Sequence, residues 1–344
     1  MSTTAVRPPH QPPSTSEMTR GNVVRRTILA VGVQNLSLIL AIGALVAAIG
    51  SQNSAFFLTS NLKTIGTAVT ISGLLAVVQT VVIIMGGIDL AVGSIAGLAS
   101  VTSAMIFTQA GAAVSFVGAL AIGALCGLIS GCIVVFGRVT PMIATLAGLI
   151  AFKGVAQLVS NGRAQGYTGA DPFYVFLARG TLIGIPTLIW VLVLVAALIH
   201  FMLRYTRVGR NIYAVGGNDT AARLSGININ RYILGIFMLA GAVAALAGIL
   251  ITARTGSGQP VSGSEGLEFQ SITAAALGGV ALRGGKGTIG GTILAVILLG
   301  ILLNGMSLLG VNPFWQNVAQ GTLLVAAVVI QQLRNGERRV GLPK

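Results

Sequence analysis

The chain has 344 residues, 54% hydrophobic and only 8% charged, with 21 Lys and Arg against 7 Asp and Glu for a formal net charge of +14. A soluble domain carries about 25% charged residues, and a soluble fold of this length lacks the interior to hide so much apolar surface, so an ordinary soluble protein is excluded and lipid is the expected solvent. The basic excess fits either a nucleic-acid partner or the cytoplasmic enrichment of Lys and Arg in membrane proteins; the positions of the charges, given below, favour the second, and no nucleic-acid partner is expected.

Residues 1–26 are polar, contain Pro8, Pro9, Pro12 and Pro13, and read as a disordered cytoplasmic tail. Arg25 and Arg26 then precede an apolar run, Thr27 to Gly50, that is longer than a secretory signal core and is followed by further runs, so it reads as an anchor. A helix crossing about 30 Å of hydrocarbon needs about 20 residues. That ruler places spans at 27–49, 64–85, 90–108, 113–136, 140–160, 182–202, 232–253, 288–309 and 314–332. The apolar segment 268–282 is short, either a tilted span or part of a re-entrant element buried in protein. Counted as a span it makes ten. The expected fold class is all-α, a polytopic membrane helix bundle over 27–333, with a basic cytoplasmic tail at 334–344.

With the N-terminus inside, the cytoplasmic segments hold Arg7, Arg20, Arg25, Arg26, Arg138, Arg204, Arg207, Arg210, Arg223, Arg231, Arg283, Lys286, Arg334, Arg338, Arg339 and Lys344, sixteen cations. The external segments hold four, Lys63, Arg163, Arg179 and Arg254, and Lys153 falls within a span near its external end. This asymmetry favours an even number of spans with both termini cytoplasmic. The 47 glycines suit close helix approach in a bundle, as in the pair Gly287 and Gly291, and also broken helices. Cys126 and Cys132, six apart in one apolar run, imply neither a disulfide framework nor a metal site. His10 and His200 have no partner pattern.

Gly285, Gly287 and Gly290 spell G-x-G-x-x-G, but the flanks are membrane segments and no acid lies between Glu268 and Glu337, so a dinucleotide site is rejected. The near-match to a P-loop over Gly279 to Gly287 fails in spacing and carries Gly287 where Ser or Thr is required. No cofactor, metal or catalytic constellation is expected, and the chain is read as no enzyme. Ion-coupled carriers place ionisable groups within the membrane; their scarcity here favours a separate motor protein.

Three stretches carry a family resemblance: MGGIDLAVGS from Met85, GRNIYAVGGNDTAARLSGI from Gly209, and LGGVALRGGKGTIGG from Leu277. Pro141 to Leu146, Gly184-Ile185-Pro186 and Asn304-Gly305 agree with them. In this order, over roughly residues 60–332, they resemble the permease subunits of ribose-type bacterial ABC sugar importers, inner-membrane components of binding-protein-dependent transport systems. The resemblance implies a fold of the vitamin B12 importer kind and a second permease copy, identical or not. It also implies a cytoplasmic ABC ATPase and a periplasmic or lipid-anchored sugar-binding protein. The solute implied is a monosaccharide. A nucleoside, a sugar-derived signal or a branched-chain amino acid carried by the same architecture, or an ion-coupled secondary transporter, are the alternatives.

The second stretch lies in the longest internal cytoplasmic loop. Asn218 can cap a short helix through Asp219, Thr220, Ala221, Ala222, Arg223, Leu224 and Ser225, and Gly226 can end it in the left-handed conformation. Ala221 and Ala222 leave a shallow surface, so the helix is read as a coupling helix for the ATPase or as an ordinary surface linker. The third stretch is a tight cytoplasmic turn with two cations, or a gate or second ATPase contact. Gly86, Gly87, Asp89, Gly278, Gly279 and Asn304 are candidates for the pathway or its gate. Asp89 either caps the helix that follows it or lines the solute path. Asp171, Glu265 and Glu268 in the external loops either receive a binding protein or belong to ordinary solvated loops. Trp190 and Trp315 read as interfacial anchors or lipid-facing packing rather than sugar-stacking platforms.

Overall fold

The structure is a computed structural model that describes residues 33–334. The tail at 1–26, the first residues of the 27–49 span and the tail beyond 334 lie outside the described residues. The elements are α1 (Val33–Gln52), a 3-10 turn (Ser54–Phe57), α2 (Thr59–Ile84), α3 (Val92–Phe136), α4 (Pro141–Ser160), α5 (Pro172–Arg179), a two-stranded ribbon (Thr181–Leu182 with Ile185–Pro186), α6 (Thr187–Tyr205), α7 (Arg207–Gly217), α8 (Asp219–Leu224), α9 (Ile229–Thr255), α10 (Leu267–Leu277), α11 (Ile289–Leu308) and α12 (Pro313–Arg334). The chain is a polytopic helical bundle. Eight of these helices are long and apolar enough to cross a membrane.

α3 holds two of the expected spans. Its 45 residues would run about 68 Å if straight, far beyond a bilayer core. Gly111, at φ 79° and ψ 177°, breaks it in a region of backbone space open essentially only to glycine. The halves fold back on each other, so that the Ser115 hydroxyl donates to the Ser103 carbonyl at 2.6 Å. Counting those halves separately, with the short α10, recovers the ten membrane segments expected. α10 has 11 residues, about 16 Å, too short to cross. Its core side is nonetheless fully buried in protein.

α2 is the central helix, buried on all sides over most of its length. Polar side chains stitch it and its neighbours together: Thr80 meets Thr292 of α11 at 2.7 Å, and Ser100 of α3 meets Thr252 of α9 at 2.8 Å. Both halves of α3 pack on α9. A Cβ on Gly241 would run into the Gly123 carbonyl, and one on Gly127 into the Phe237 carbonyl, which is why small residues stand at this crossing.

The register of these contacts shows where α3 begins. Gly248 of α9 abuts Ala96, and Thr252 bonds Ser100, so the first half of α3 runs parallel to α9. Extrapolating one turn back puts Val92 beside the middle of α9. The expected span at 90–108 therefore starts midway through the bundle rather than at its edge. α10 starts at the same level, because the Glu268 carboxylate lies against Gly93, and it runs the opposite way, ending with Gly278 against Gly291 of α11. The fold thus holds two broken helices that begin at a common level and diverge.

Candidate functional site

At one end of the bundle, the three stretches singled out in the sequence meet. The Gly285 N–H donates to the carbonyl of Ile84, the last residue of α2, at 2.8 Å. Gly216 of α7 is wedged between that carbonyl and the Gly285 nitrogen, so any Cβ at Gly216 would overlap backbone. Gly86 (φ +97°) and Gly284 (φ +92°) sit in the left-handed half of backbone space and lie against each other, with the Gly216 carbonyl beside Gly284. The Tyr213 hydroxyl donates to the Gly287 carbonyl at 2.8 Å. Burial raises the pKa of that phenol above its ordinary value. A cavity of about 350 Å3 opens here, lined by Gly86, Gly87, Pro141, Gly217, Asp219 and Arg283.

α8 follows directly on α7 at this end of the bundle, with Asp219 on the wall of that cavity. The Asn218 side chain accepts from the Ala221 N–H at 2.9 Å, and Gly226, at φ +82°, ends the helix. Both ends are built as the residue types predict. The faces are distributed differently from the expected pair of surface alanines. Ala222 is only 4% exposed and points into the protein, whereas Leu224 is 85% exposed. Asp219, Thr220, Ala221 and Arg223 share the outward surface. Six residues make under two turns, so one side must face the bundle, and the smallest side chain lies where the backbones are closest.

From the glycine cluster, residues 85–91 carry the chain without helix to the level where α3 starts. Irregular backbone at this depth must be satisfied by protein, and much of it visibly is. Gly87 N–H donates to the Val82 carbonyl at 3.0 Å, and the Thr145 hydroxyl of α4 donates to the Ile88 carbonyl at 3.2 Å. The Gln79 amide, in the orientation that satisfies both of its ends, exchanges two 3.1 Å bonds with the N–H and carbonyl of Asp89. Asp89 is 0% exposed. Its Oδ1 accepts from the Ala91 N–H at 2.8 Å, and its Oδ2 has no protein partner. α3 begins at Val92 with Ala91 as its N-cap, so Asp89 braces the turn leading into the helix rather than capping the first-turn N–H groups. Gln79 escaped the sequence reading, although an amide inside the run LLAVVQTVVII was a visible signal.

The remaining candidates separate. Gly278 packs on the Gly291 backbone at the foot of α10, with Gly279 (φ +88°) just beyond. Asn304 of α11 exchanges amide hydrogen bonds of 2.9 and 3.1 Å with Asn61 of α2, a clamp near the other end of the bundle. Asp171 caps α5, accepting from the N–H groups of Phe173 and Tyr174. Glu268 is 6% exposed, so it is no loop residue offered to a partner.

Residues 61–328 match the family described as branched-chain amino acid transport system / permease component. The chain belongs to that family. It is 38% identical over 295 residues to the ribose import permease protein RbsC of Escherichia coli (strain K12), covering 85% of this chain and 92% of that protein. It is 36% identical over 304 residues to the ribose import permease protein RbsC of Bacillus subtilis (strain 168), covering 88% and 94%. Against the L-arabinose transport system permease protein AraH of Escherichia coli (strain K12) identity is 35% over 309 residues, covering 88% and 90%. No solved structure matches the chain. As a multi-pass permease component, it has the three marker stretches of its sequence inside the matched region.

Proposed function

We propose that this permease forms the membrane pathway of an ATP-driven bacterial importer for a monosaccharide. The solute is delivered by an external binding protein, and a cytoplasmic ABC ATPase docks on α8. The observation that carries the reading is the meeting of all three marker stretches beneath α8. α8 follows directly on α7, whose Gly216 packs on Gly285 and Ile84, so a displacement of α8 reaches that contact through α7, and through it the 85–91 segment that leads to Asp89 and α3. In this arrangement the outward face, with Leu224 as its apolar knob, seats in the ATPase, and the buried Ala222 lets α8 lie close on the bundle. The α8 end is cytoplasmic, as are both termini, the protein sits in the inner membrane, and two permease copies, identical or paired with a related chain, make the working pathway.

The family description names branched-chain amino acids, while the relatives at 35–38% identity are named for ribose and L-arabinose, which favours a sugar. The test is to produce the permease with its ATPase and binding protein in cells lacking their own uptake systems. Labelled D-ribose, L-arabinose and D-allose are then compared with leucine and a nucleoside. Uptake of a sugar that stops when the ATPase is disabled is expected. Uptake of leucine alone, or sugar uptake that survives loss of the ATPase, would overturn the reading.

A further inference from the structure

The two diverging half-helices leave a cavity of about 310 Å3 where they begin, on the side facing α4, and its polar groups belong to none of the marker stretches except Ser94. Ser94, Lys153, Ser264 and Glu268 supply hydrogen-bonding groups, and Leu146 and Leu149 supply apolar wall. At its mouth the Lys153 ammonium donates to Glu265 Oε1 at 2.7 Å. Lys153 stands seven residues before the end of α4, about 10 Å inside it. Even so, the side chains of the pair are 36% and 66% exposed on the surface of the chain.

Charges at that depth facing hydrocarbon are expensive, and polar residues within spans characteristically face a bundle interior or a water-filled path. This face of α4 and α10 therefore does not look into lipid. A second, adjoining cavity of about 470 Å3 shares Glu265, Gly266 and Phe269 and continues past Thr273 of α10 to Asn317 and Gln320 of α12. The polar strip thus extends over both α10 and α12.

We propose that Lys153, Glu265 and Glu268 form a solute-binding station within the permease, shaped for a neutral polyhydroxylated molecule of monosaccharide size; this deepens the importer reading and rests on it. Such a molecule needs acceptors and donors together with an apolar wall for its C–H face. The carboxylates accept, the ammonium donates, and Leu146 and Leu149 provide the wall. The volume lies at the small end of ligand cavities, which span about 300–1,000 Å3. A partly exposed ion pair suits a transit station, because it holds a solute weakly and re-forms when the solute leaves. The Glu268 carboxylate fits against α3 because Gly93 has no side chain, so the station and the half-helix junction are one construction.

The test uses the complete complex, with Cys126→Ser and Cys132→Ser as background. Leu149→Cys is expected to react with a small membrane-impermeant thiosulfonate, and Leu194→Cys, exposed on α6 to lipid, is expected not to. Lys153→Gln and Glu268→Gln are expected to lower D-ribose uptake per ATP hydrolysed by about tenfold, the scale of one lost charged hydrogen bond. Leu149→Phe, which fills the cavity, should slow the hexose D-allose more than the pentose D-ribose. An unreactive Leu149→Cys, wild-type uptake per ATP in both charge variants, or loss of complex assembly in them would each overturn the proposal. If the wild-type complex carries neither sugar while Leu149→Cys reacts, the water-lined station stands and the monosaccharide reading falls.

Discussion

The carboxylate of Asp89 uses one oxygen on the Ala91 N–H and leaves the other without a protein partner, while its backbone is held at both ends by Gln79. These two side chains carry different loads. Asp89→Asn keeps an acceptor for Ala91 and should assemble like the wild type, whereas Asp89→Ala loses that bond, at a cost of about 1 kcal/mol. Gln79→Leu is expected to be worse than either. It strips partners from a buried N–H and a buried carbonyl, each unpaired group costing about 1–3 kcal/mol. Thermal inactivation of the purified complex should rank them wild type, Asp89→Asn, Asp89→Ala, Gln79→Leu. A transport-dead Asp89→Asn of normal stability would instead assign its charge to the solute path.

Two short elements are decided by backbone geometry. In α8, Leu224→Arg replaces the 85% exposed side chain and should leave the permease folded while weakening ATPase co-purification. Ala222→Trp, on the buried face, should instead push α8 away from α7 and α9, on which it packs, and reduce the yield of folded permease itself. If both variants lose only the ATPase, the assignment of the two faces is wrong. Gly111 has open space around it, so Gly111→Ala meets no clash. The φ 79°, ψ 177° conformation alone should then cost about 1–3 kcal/mol. That loss should appear as a lower unfolding midpoint, with the fold-back of α3 intact by Ser103→Cys to Ser115→Cys cross-linking.

At the scale of the whole molecule, the proposed topology puts the α8 end on the cytoplasmic side, following the charge asymmetry. In intact cells an impermeant maleimide should modify Ala164→Cys, in the exposed loop before α5, and spare Ser225→Cys at the end of α8. The reverse pattern would turn the protein over in the membrane.

Helix class, the run of membrane segments and the ends of α8 were legible in the sequence, because each depends on residues near one another in the chain. Apolar length sets a span, a side-chain oxygen on Asn218 sets a cap, and a missing Cβ at Gly226 permits a left-handed residue. Even the short 268–282 segment announced itself by its length. Hydropathy could not say that the run at 90–108 begins in mid-bundle, that Ala222 faces inward, or that Glu268 is buried beside Gly93. Those facts depend on which distant backbones touch, and 175 positions of chain separate Gly93 from Glu268. The pairing of Gln79 with Asp89 and of Lys153 with Glu265 is of the same kind. A buried polar group is satisfied or stranded only by what the tertiary fold brings within hydrogen-bond reach.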